Sequence, residues 1–495
     1  RIEKMKTVPP AVRKRMLAFA NAVFAEKLQP LDFDGVFEVQ KKPSQRTSFL
    51  KLIPELLSSL GFATADVEFF MKSEFYVKIT HPRNIGNLDD AHRISLCRFV
   101  IPMMNYMKEH HDWYAFGKHP EIMYELVQEI FGDSEILEAD ASRMDGHLQP
   151  IVREFLELPC YKAAFANEYW PEITQLLKQT YTATGRTKFG VFVEALWTRM
   201  SGVMDTSLCN TLLSCYGAYA TRSMLGVEDK LLFHKIGLFA GDDVAANVPP
   251  GISTAKFKET YTFVMARLGQ EMKIKITPQG EPFSFLGMIW LDYTGEEGVQ
   301  CFYELSRFLR KHTTTVCASN ISAEQALWSK AISYYSCYAQ HPIIGTWAKK
   351  VIDLLLSDGF DYMHCRIRLE DVSYVAKPFI SEVNPRNFWR AFATNPLYPV
   401  VDRTTMLEAM AAHLDVEESV IENLEDAILA CETWDDLDAL HDFIPAQVQV
   451  DIPAYYQGEL RQPGLLPTPF PLRPGQLPAA QVEPVIRLPA DSIGE

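Results

Sequence analysis

No Cys-x-x-Cys pair occurs in the 495 residues, and the nine cysteines are odd in number and irregular in spacing. That pattern excludes the common zinc ribbons and a disulfide framework. Cys97, Cys160, Cys209, Cys215, Cys301, Cys317, Cys337, Cys365 and Cys431 are expected to be reduced core thiols of a cytosolic protein. No run is long and apolar enough to span a bilayer as a helix. No internal repeat is visible, and the first residues carry no signal-peptide pattern. The chain begins at Arg1 rather than Met, so the expectation is a piece of a longer product, with any membrane anchor outside it. An excess of basic charge is also lacking: the net charge is -15. Taken alone, that total argues against a polyanionic partner. Much of the acid, however, is concentrated between residues 415 and 442. The N-terminal part carries Lys4, Lys6, Arg13, Lys14, Arg15, Lys41, Lys42, Arg46 and Lys51. Local field, not net charge, guides a polyanion into a groove.

What is present is a well-packed globular composition, 47% hydrophobic and 12% aromatic. The length exceeds one hydrophobic core and predicts roughly three domains or subdomains. An extended arm and helices over 12–26 and 48–60 lead the chain, with a basic loop at 41–46 that reads equally as a solvated turn or a template contact. Between residues 69 and 99, Lys72, Lys78, Arg83, Arg93 and Arg98 recur among strand formers, punctuated by Pro82 and Gly86. Such a ribbon lines a phosphate channel or is a charged edge strand. Residues 99–131 read as mostly helical, with a break near 116–120. A helix is expected over 150–180. Beyond residue 304 helices dominate, one announced by the Ser322-Ala-Glu-Gln325 capping box. Past residue 445 prolines are too frequent for regular structure, which leaves a disordered tail or an extended strap.

The stretch that organises the rest is 231–248, LLFHKIGLFAGDDVAANV. Apolar runs flank Gly241-Asp242-Asp243, which predicts a β-hairpin with a tight turn at its tip. Adjacent carboxylates there repel, and oxygen-only ligands suit Mg²⁺ or Mn²⁺. Ordinary composition also yields this tripeptide in about one such chain in ten, so partners must decide. Upstream, a short strand over 136–139 runs into Asp140, and Asp145 follows across a turn. If that strand neighbours the hairpin in one sheet, Asp140 and Asp242 meet at one edge, the shared clamp that two divalent ions need. Gly202 provides a flexible loop before a helix over 207–225, and Thr206 and Asn210 share one face of it. A helix over 254–268, a strand over 271–276 with Lys273 and Lys275, and one apolar strand over 283–291 complete the region.

Three stretches in this order resemble motifs A, B and C of viral RNA-dependent RNA polymerases. They are Asp140-Ala-Ser-Arg-Met-Asp145, Ser201-Gly202-x-x-x-Thr206-x-x-x-Asn210 and Gly241-Asp242-Asp243. Lys72-x-Glu74-x-x-x-Lys78-x-x-x-x-Arg83 resembles the fingers motif F, and residues 273–276 and 283–291 fall where motifs D and E belong. The wording of motifs A and B is similar to that of nodavirus and tombusvirus-like positive-strand viruses. The motifs span a little under half of the chain.

The resemblance implies an α+β right-hand fold: fingers over 1–131, palm over 132–292 with an inserted fingers segment at 150–198, a helical thumb over 293–445, and the proline-rich tail over 446–495. It implies that Asp140, Asp242 and Asp243 bind Mg²⁺, with Mn²⁺ as a substitute, and that Asp145 and Asn210 recognise the ribose 2′-hydroxyl. Ser201, Gly202 and Thr206 would sense template and nucleotide; Lys72, Lys78 and Arg83 would grip the triphosphate. The family often places its general-acid lysine in motif D, where the turn here has none, and the reading favours Lys275 over Lys273. The implied partners are template and product RNA, ribonucleoside triphosphates, and, through a larger replicase, host membranes in cytoplasmic replication complexes. A reverse transcriptase and a non-catalytic RNA-binding replicase subunit are the alternatives. Against the first stand the Asp145–Asn210 pair and Gly241, where reverse transcriptases carry an aromatic residue; against the second, all the carboxylates are present.

Overall fold

A computed structural model describes residues 8–40, 46–47, 49–52, 66–72, 83–187, 190–291, 293–294, 300–309, 312, 322–362 and 402–439. Lys78, most of the basic loop, Cys317, Cys365 and the proline-rich stretch lie outside the described residues. The chain divides into two units; residues 76–81 and 450–495, which make up the second, also lie outside them.

Helix α1 (Pro10–Val23) takes proline at its first position, where the missing N–H costs nothing, and buries Met16, Phe19, Ala20 and Val23. A short α2 (Phe33–Val39), absent from the sequence reading, is capped by Asp32, whose side chain accepts from the Gly35 amide. Strands β1 (Asp66–Met71) and β2 (Asn84–Leu88) pair antiparallel. The chain then turns helical sooner than expected: α3 (Asp90–His110) starts where Asp89 caps the His92 amide at 2.8 Å. Arg93 and Arg98 therefore leave the basic ribbon for this helix. Arg93 pairs with Asp90 at 2.7 Å, and Arg98 with Glu172 at 2.5 Å. After α4 (Pro120–Phe131), β3 (Ile136–Ala141) enters the central sheet.

The inserted segment is a single α-turn, Pro150–Val152, a π-helical turn, Arg153–Glu157, then α5 (Leu158–Ala164) and α6 (Trp170–Tyr181). Strands β4 (Thr184–Thr187) and β5 (Phe192–Glu194) complete a sheet in the order β2-β1-β4-β5. Next comes α7 (Thr206–Met224), in which every residue from Leu208 to Arg222 is buried. The expected hairpin follows as β6 (Gly237–Ala240) and β7 (Asp243–Asn247), with a first strand shorter than its apolar run. The reason is Arg222. Its guanidinium donates to the carbonyls of His234 at 2.7 Å and Lys235 at 2.9 Å, which curls that segment off the sheet.

Helix α8 (Thr254–Arg267) and β8 (Met272–Thr277) match expectation. The single strand expected over 283–291 is instead a hairpin, β9 (Phe283–Phe285) and β10 (Met288–Leu291). Leu286 and Gly287 both have positive φ, 55° and 77°, which makes the two-residue turn that local apolarity concealed. Strand β11 (Gln300–Tyr303) joins it, and the rest is helical: α9 (Leu305–Leu309), α10 (Ala323–Tyr338), α11 (Ile344–Ser357), α12 (Arg403–Leu414), α13 (Glu418–Ala430) and α14 (Trp434–Ala439). The capping box on α10 is formed in both directions. These helices share their own core around Trp328, Ile332, Trp347 and Met410.

The central sheet has the order β6-β7-β3-β8 and is antiparallel throughout. One face, with Leu137, Ala139, Phe239 and Val244, packs into the core that holds α7 and α8. The opposite face places Ile136, Leu238, Ala240 and Ala245 against α4. The inner strands are mostly apolar, interrupted by Glu138 midway along β3 and by Asp140 and Asp243 at one end. The described cysteines are all free and buried, as expected of core thiols.

Candidate active site

The β6–β7 loop is two residues, Gly241-Asp242, closed by the pairing of Ala240 with Asp243. Only Gly241 has positive φ, 70°, the pattern of a type II′ turn that places glycine first. The glycine is held from behind by α7. Thr211 Oγ1 accepts from the Gly241 amide at 2.9 Å, and Ser214 Oγ donates to its carbonyl at 2.6 Å. The hairpin tip thus rests on two buried hydroxyls that the sequence reading did not single out. A polar residue inside a fully buried helix was the available signal.

Strand register then decides which acids meet. Asp140 stands directly opposite Asp243 on β7, and opposite Lys273 on its other side. Opposed residues of a ladder project to the same face, so Asp140, Asp243 and Lys273 share one, and Asp242 in the adjoining turn lies within electrostatic reach of Asp140. Burial, then the neighbouring Asp242, pushes the Asp243 carboxyl up to about 6; Asp140 adds to this and Arg307 opposes it. Burial likewise raises Asp242, with Asp140 and Asp145 adding and its own amide and Arg83 opposing. Arg83 is therefore within electrostatic reach of the tip. The Lys72 amide donates to the Arg83 carbonyl at 2.8 Å, which sets these two residues side by side at the ends of β1 and β2. Lys275, two residues beyond Lys273, is paired with Glu138 at 2.9 Å.

Behind the acids lies a polar cluster. Arg143, with φ 54°, occupies the left-handed region and leads into the 3₁₀ turn Met144–His147 that carries Asp145. Asp145 accepts from Ser201 Oγ at 2.5 Å and from Asn210 Nδ2 at 2.8 Å. Asn210 Oδ1 accepts from Arg199 Nε at 2.9 Å. Asn210 thus faces Asp145 and not the hairpin, whose bracing falls to Thr211 and Ser214. Thr206 opens α7 and donates to the Val203 carbonyl at 2.8 Å, which ties down the loop that carries Gly202. Gly202 itself lies against β2: a Cβ there would meet Asn87 Oδ1 and come within 2.7 Å of the Gly86 carbonyl. Because backbone cannot yield cheaply, Gly202→Ala is expected to destabilise the fold by about 1–3 kcal/mol. Denaturant unfolding of the variant checks this; an unchanged midpoint would mean the loop is free to lift from β2.

A cavity of about 590 Å³ opens beside Asp140, lined by Ser142, Arg143, His147, Glu271 and Lys273. The region around Asp140 and the hairpin therefore offers oxygen ligands, flanking cations and room for an anionic ligand. Among the described residues no group of three or more carboxylate, imidazole or thiolate side chains is already close enough together to hold a metal ion.

The family model for viral RNA dependent RNA polymerase matches residues 137–345. The chain is 26% identical over 453 residues to the RNA-directed RNA polymerase of Pieris rapae virus, covering 89% of this chain and 41% of that protein. It is 28% identical over 348 residues to the RNA-directed RNA polymerase of Greasy grouper nervous necrosis virus, covering 69% of this chain and 34% of that protein. The chain thus spans well under half the length of these curated relatives. Among solved structures, the insertion loop deletion mutant of the RNA-dependent RNA polymerase of a human picorbirnavirus superposes with a TM-score of 0.58 at 14% identity, over 76% of this chain and 78% of that one. At that identity the likeness shows the fold, the α+β right-hand arrangement that the motifs implied. The matched family model, the sequence relatives and the fold thus all liken this chain to viral RNA-dependent RNA polymerases.

Proposed function

We propose that this chain is the catalytic core of an RNA-directed RNA polymerase, joining ribonucleoside triphosphates to a growing RNA 3′-hydroxyl on an RNA template. The observation that carries the reading is the register that sets Asp140 opposite Asp243, next to Asp242, with the Asp145–Asn210 pair close behind. The donor set fits divalent cations: the acids are oxygen ligands only, and burial followed by neighbouring carboxylates raises Asp242 and Asp243. Asp140, Asp242 and Asp243 would hold Mg²⁺ or Mn²⁺, which when bound activates the attacking hydroxyl and neutralises the triphosphate. The chain's own groups position and neutralise, as phosphoryl transfer requires. Arg83 and Lys72 approach the triphosphate from the fingers side. Asp145 and Asn210 present a carboxylate and an amide to the ribose. The 3′-oxygen forms its bond to the α-phosphorus as the bond to pyrophosphate breaks, and the leaving group needs a proton.

Two lysines compete for that last task. Lys275 is held by Glu138, whereas Lys273 faces Asp140 and lines its cavity. Lys273→Ala is expected to slow single-turnover incorporation about 10²-fold, and Lys275→Ala only a few-fold. The reverse order would return the proton to Lys275. Attachment to membranes in cytoplasmic replication complexes is proposed to come from elsewhere in a larger replicase; no helix among the described residues is long and apolar enough to cross a membrane. Incubation with a homopolymeric RNA template, Mg²⁺ and labelled ribo- or deoxyribonucleotides tests the whole reading. Deoxyribonucleotide incorporation alone would favour a reverse transcriptase, and none of either a non-catalytic subunit.

A further inference from the structure

Beneath the sugar-facing pair lies a charged network that the chemistry described so far does not use. Arg199 is buried along its whole side chain, and each guanidinium nitrogen has a partner. Nε donates to Asn210 Oδ1 at 2.9 Å, Nη1 to Asp205 at 3.3 Å, and Nη2 to Glu157. Its backbone amide donates to the Asp145 carbonyl at 2.8 Å, so one residue grips both members of the pair. Glu157 is itself fully buried and is held on its other oxygen by Arg153 at 3.0 Å. Burial alone would raise the Glu157 pKa, but Arg199 and Arg153 outweigh it and hold the carboxyl below its usual range. Arg153 also donates to the carbonyls of Trp197 at 3.1 Å and Thr198 at 2.9 Å, anchoring the backbone just before Arg199.

Burying this many charges is costly, and hydrophobic replacements of such groups are often neutral or stabilising. Stability alone is therefore a weak reason for the network. Its geometry offers a better one. An amide side chain has two faces, one donor and one acceptor. With Oδ1 occupied by Arg199, Asn210 must turn Nδ2 towards Asp145, where it donates at 2.8 Å. Ser201 occupies the other Asp145 oxygen. The remaining lone pairs and the second amide hydrogen then have fixed directions, which a ribose hydroxyl could meet.

We propose that Arg199, itself fixed by Glu157, is the positioning residue that sets discrimination between ribo- and deoxyribonucleotides, acting through Asn210 and Asp145. The proposal rests on the reading of Asp145 and Asn210 as the sugar-sensing pair. Glu157, from the π-helical turn of the inserted segment, thereby contributes to substrate choice without touching substrate.

The test measures kcat/KM for both sugars on the same preparation of full chain, so that a loss of folded protein cancels in their ratio. The variants are Arg199→Lys, Glu157→Gln, Asn210→Ala and the double Arg199→Lys/Asn210→Ala. Arg199→Lys keeps the charge but loses the fork; Glu157→Gln keeps the shape and weakens the hold on Arg199. Each is expected to narrow the ribo-to-deoxyribonucleotide ratio by about tenfold, chiefly by lowering ribonucleotide use. The double variant should be no less selective than Asn210→Ala, because Arg199 acts through Asn210. Unchanged ratios in Arg199→Lys and Glu157→Gln, with a narrowed one in Asn210→Ala, would overturn the positioning role and leave the sugar-sensing pair intact. Additive narrowing in the double variant would overturn it as well. An unchanged ratio in Asn210→Ala would overturn the sugar-sensing reading and the proposal together. Should Arg199→Lys not fold, the Glu157→Gln ratio decides.

Discussion

Asp242→Asn is expected to abolish nucleotide incorporation while leaving the melting temperature at or above that of the wild type. The loss should be at least about 10³-fold, since several kcal/mol of charge stabilisation in the transition state depends on the metal clamp. The argument for stability runs the other way. Asp242 projects from a two-residue turn beside Asp243, with Asp140 opposite Asp243 across the strand pair. Burial, with Asp140 and Asp145 adding to it, already raises the Asp242 carboxyl, so ionisation there is unfavourable to the folded state without a bound cation. Asparagine removes the repulsion, suits the same turn, and leaves the Gly241 clamp on Thr211 and Ser214 untouched. Primer extension together with thermal denaturation in metal-free buffer at neutral pH separates the two effects. Retained turnover would remove Asp242 from the metal clamp; a much lower melting temperature would make its role structural.

The second large effect concerns sugar choice. Wild type should prefer ribonucleotides to deoxyribonucleotides by orders of magnitude in kcat/KM. A site built to hydrogen-bond a hydroxyl rejects the analogue lacking it, because buried polar groups are left unpaired. Asn210→Ala should narrow that preference about 10²-fold, mainly by lowering ribonucleotide use. The structure sharpens the expectation. Had Asn210 braced the hairpin, its loss would impair both sugars alike. Its side chain instead bonds Asp145 and Arg199, and the hairpin is held by Thr211 and Ser214. Steady-state kinetics with both substrates decides the matter, and equal losses for the two would count against sugar sensing.

Much of this architecture was legible because it is written locally. Gly241-Asp242 announces a tight turn between apolar strands, and the turn is there. The Ser322 capping box and the helices on either side of the hairpin follow from patterns a few residues long. Errors came where local pattern conflicted with a contact made at a distance. The apolar run over 283–291 hid a turn at Leu286-Gly287, since two short buried strands carry the same composition as one long strand. The basic ribbon was cut short because Asp89 caps a helix that takes Arg93 and Arg98 away from it.

The sequence by itself pointed to a kind of chemistry: acids, hydroxyls and an amide in an order that resembles a polymerase palm. It could do so because residue types and short spacings define turns, strand ends and helix faces. Only the tertiary structure decided who meets whom. Register across β3, β7 and β8 placed Asp140 against Asp243 and Lys273, and set Lys275 on Glu138. Helix packing carried Arg199 to Glu157, 42 residues away in the chain. Such pairings depend on strand register and on burial from several directions at once, and no spacing along the chain encodes either.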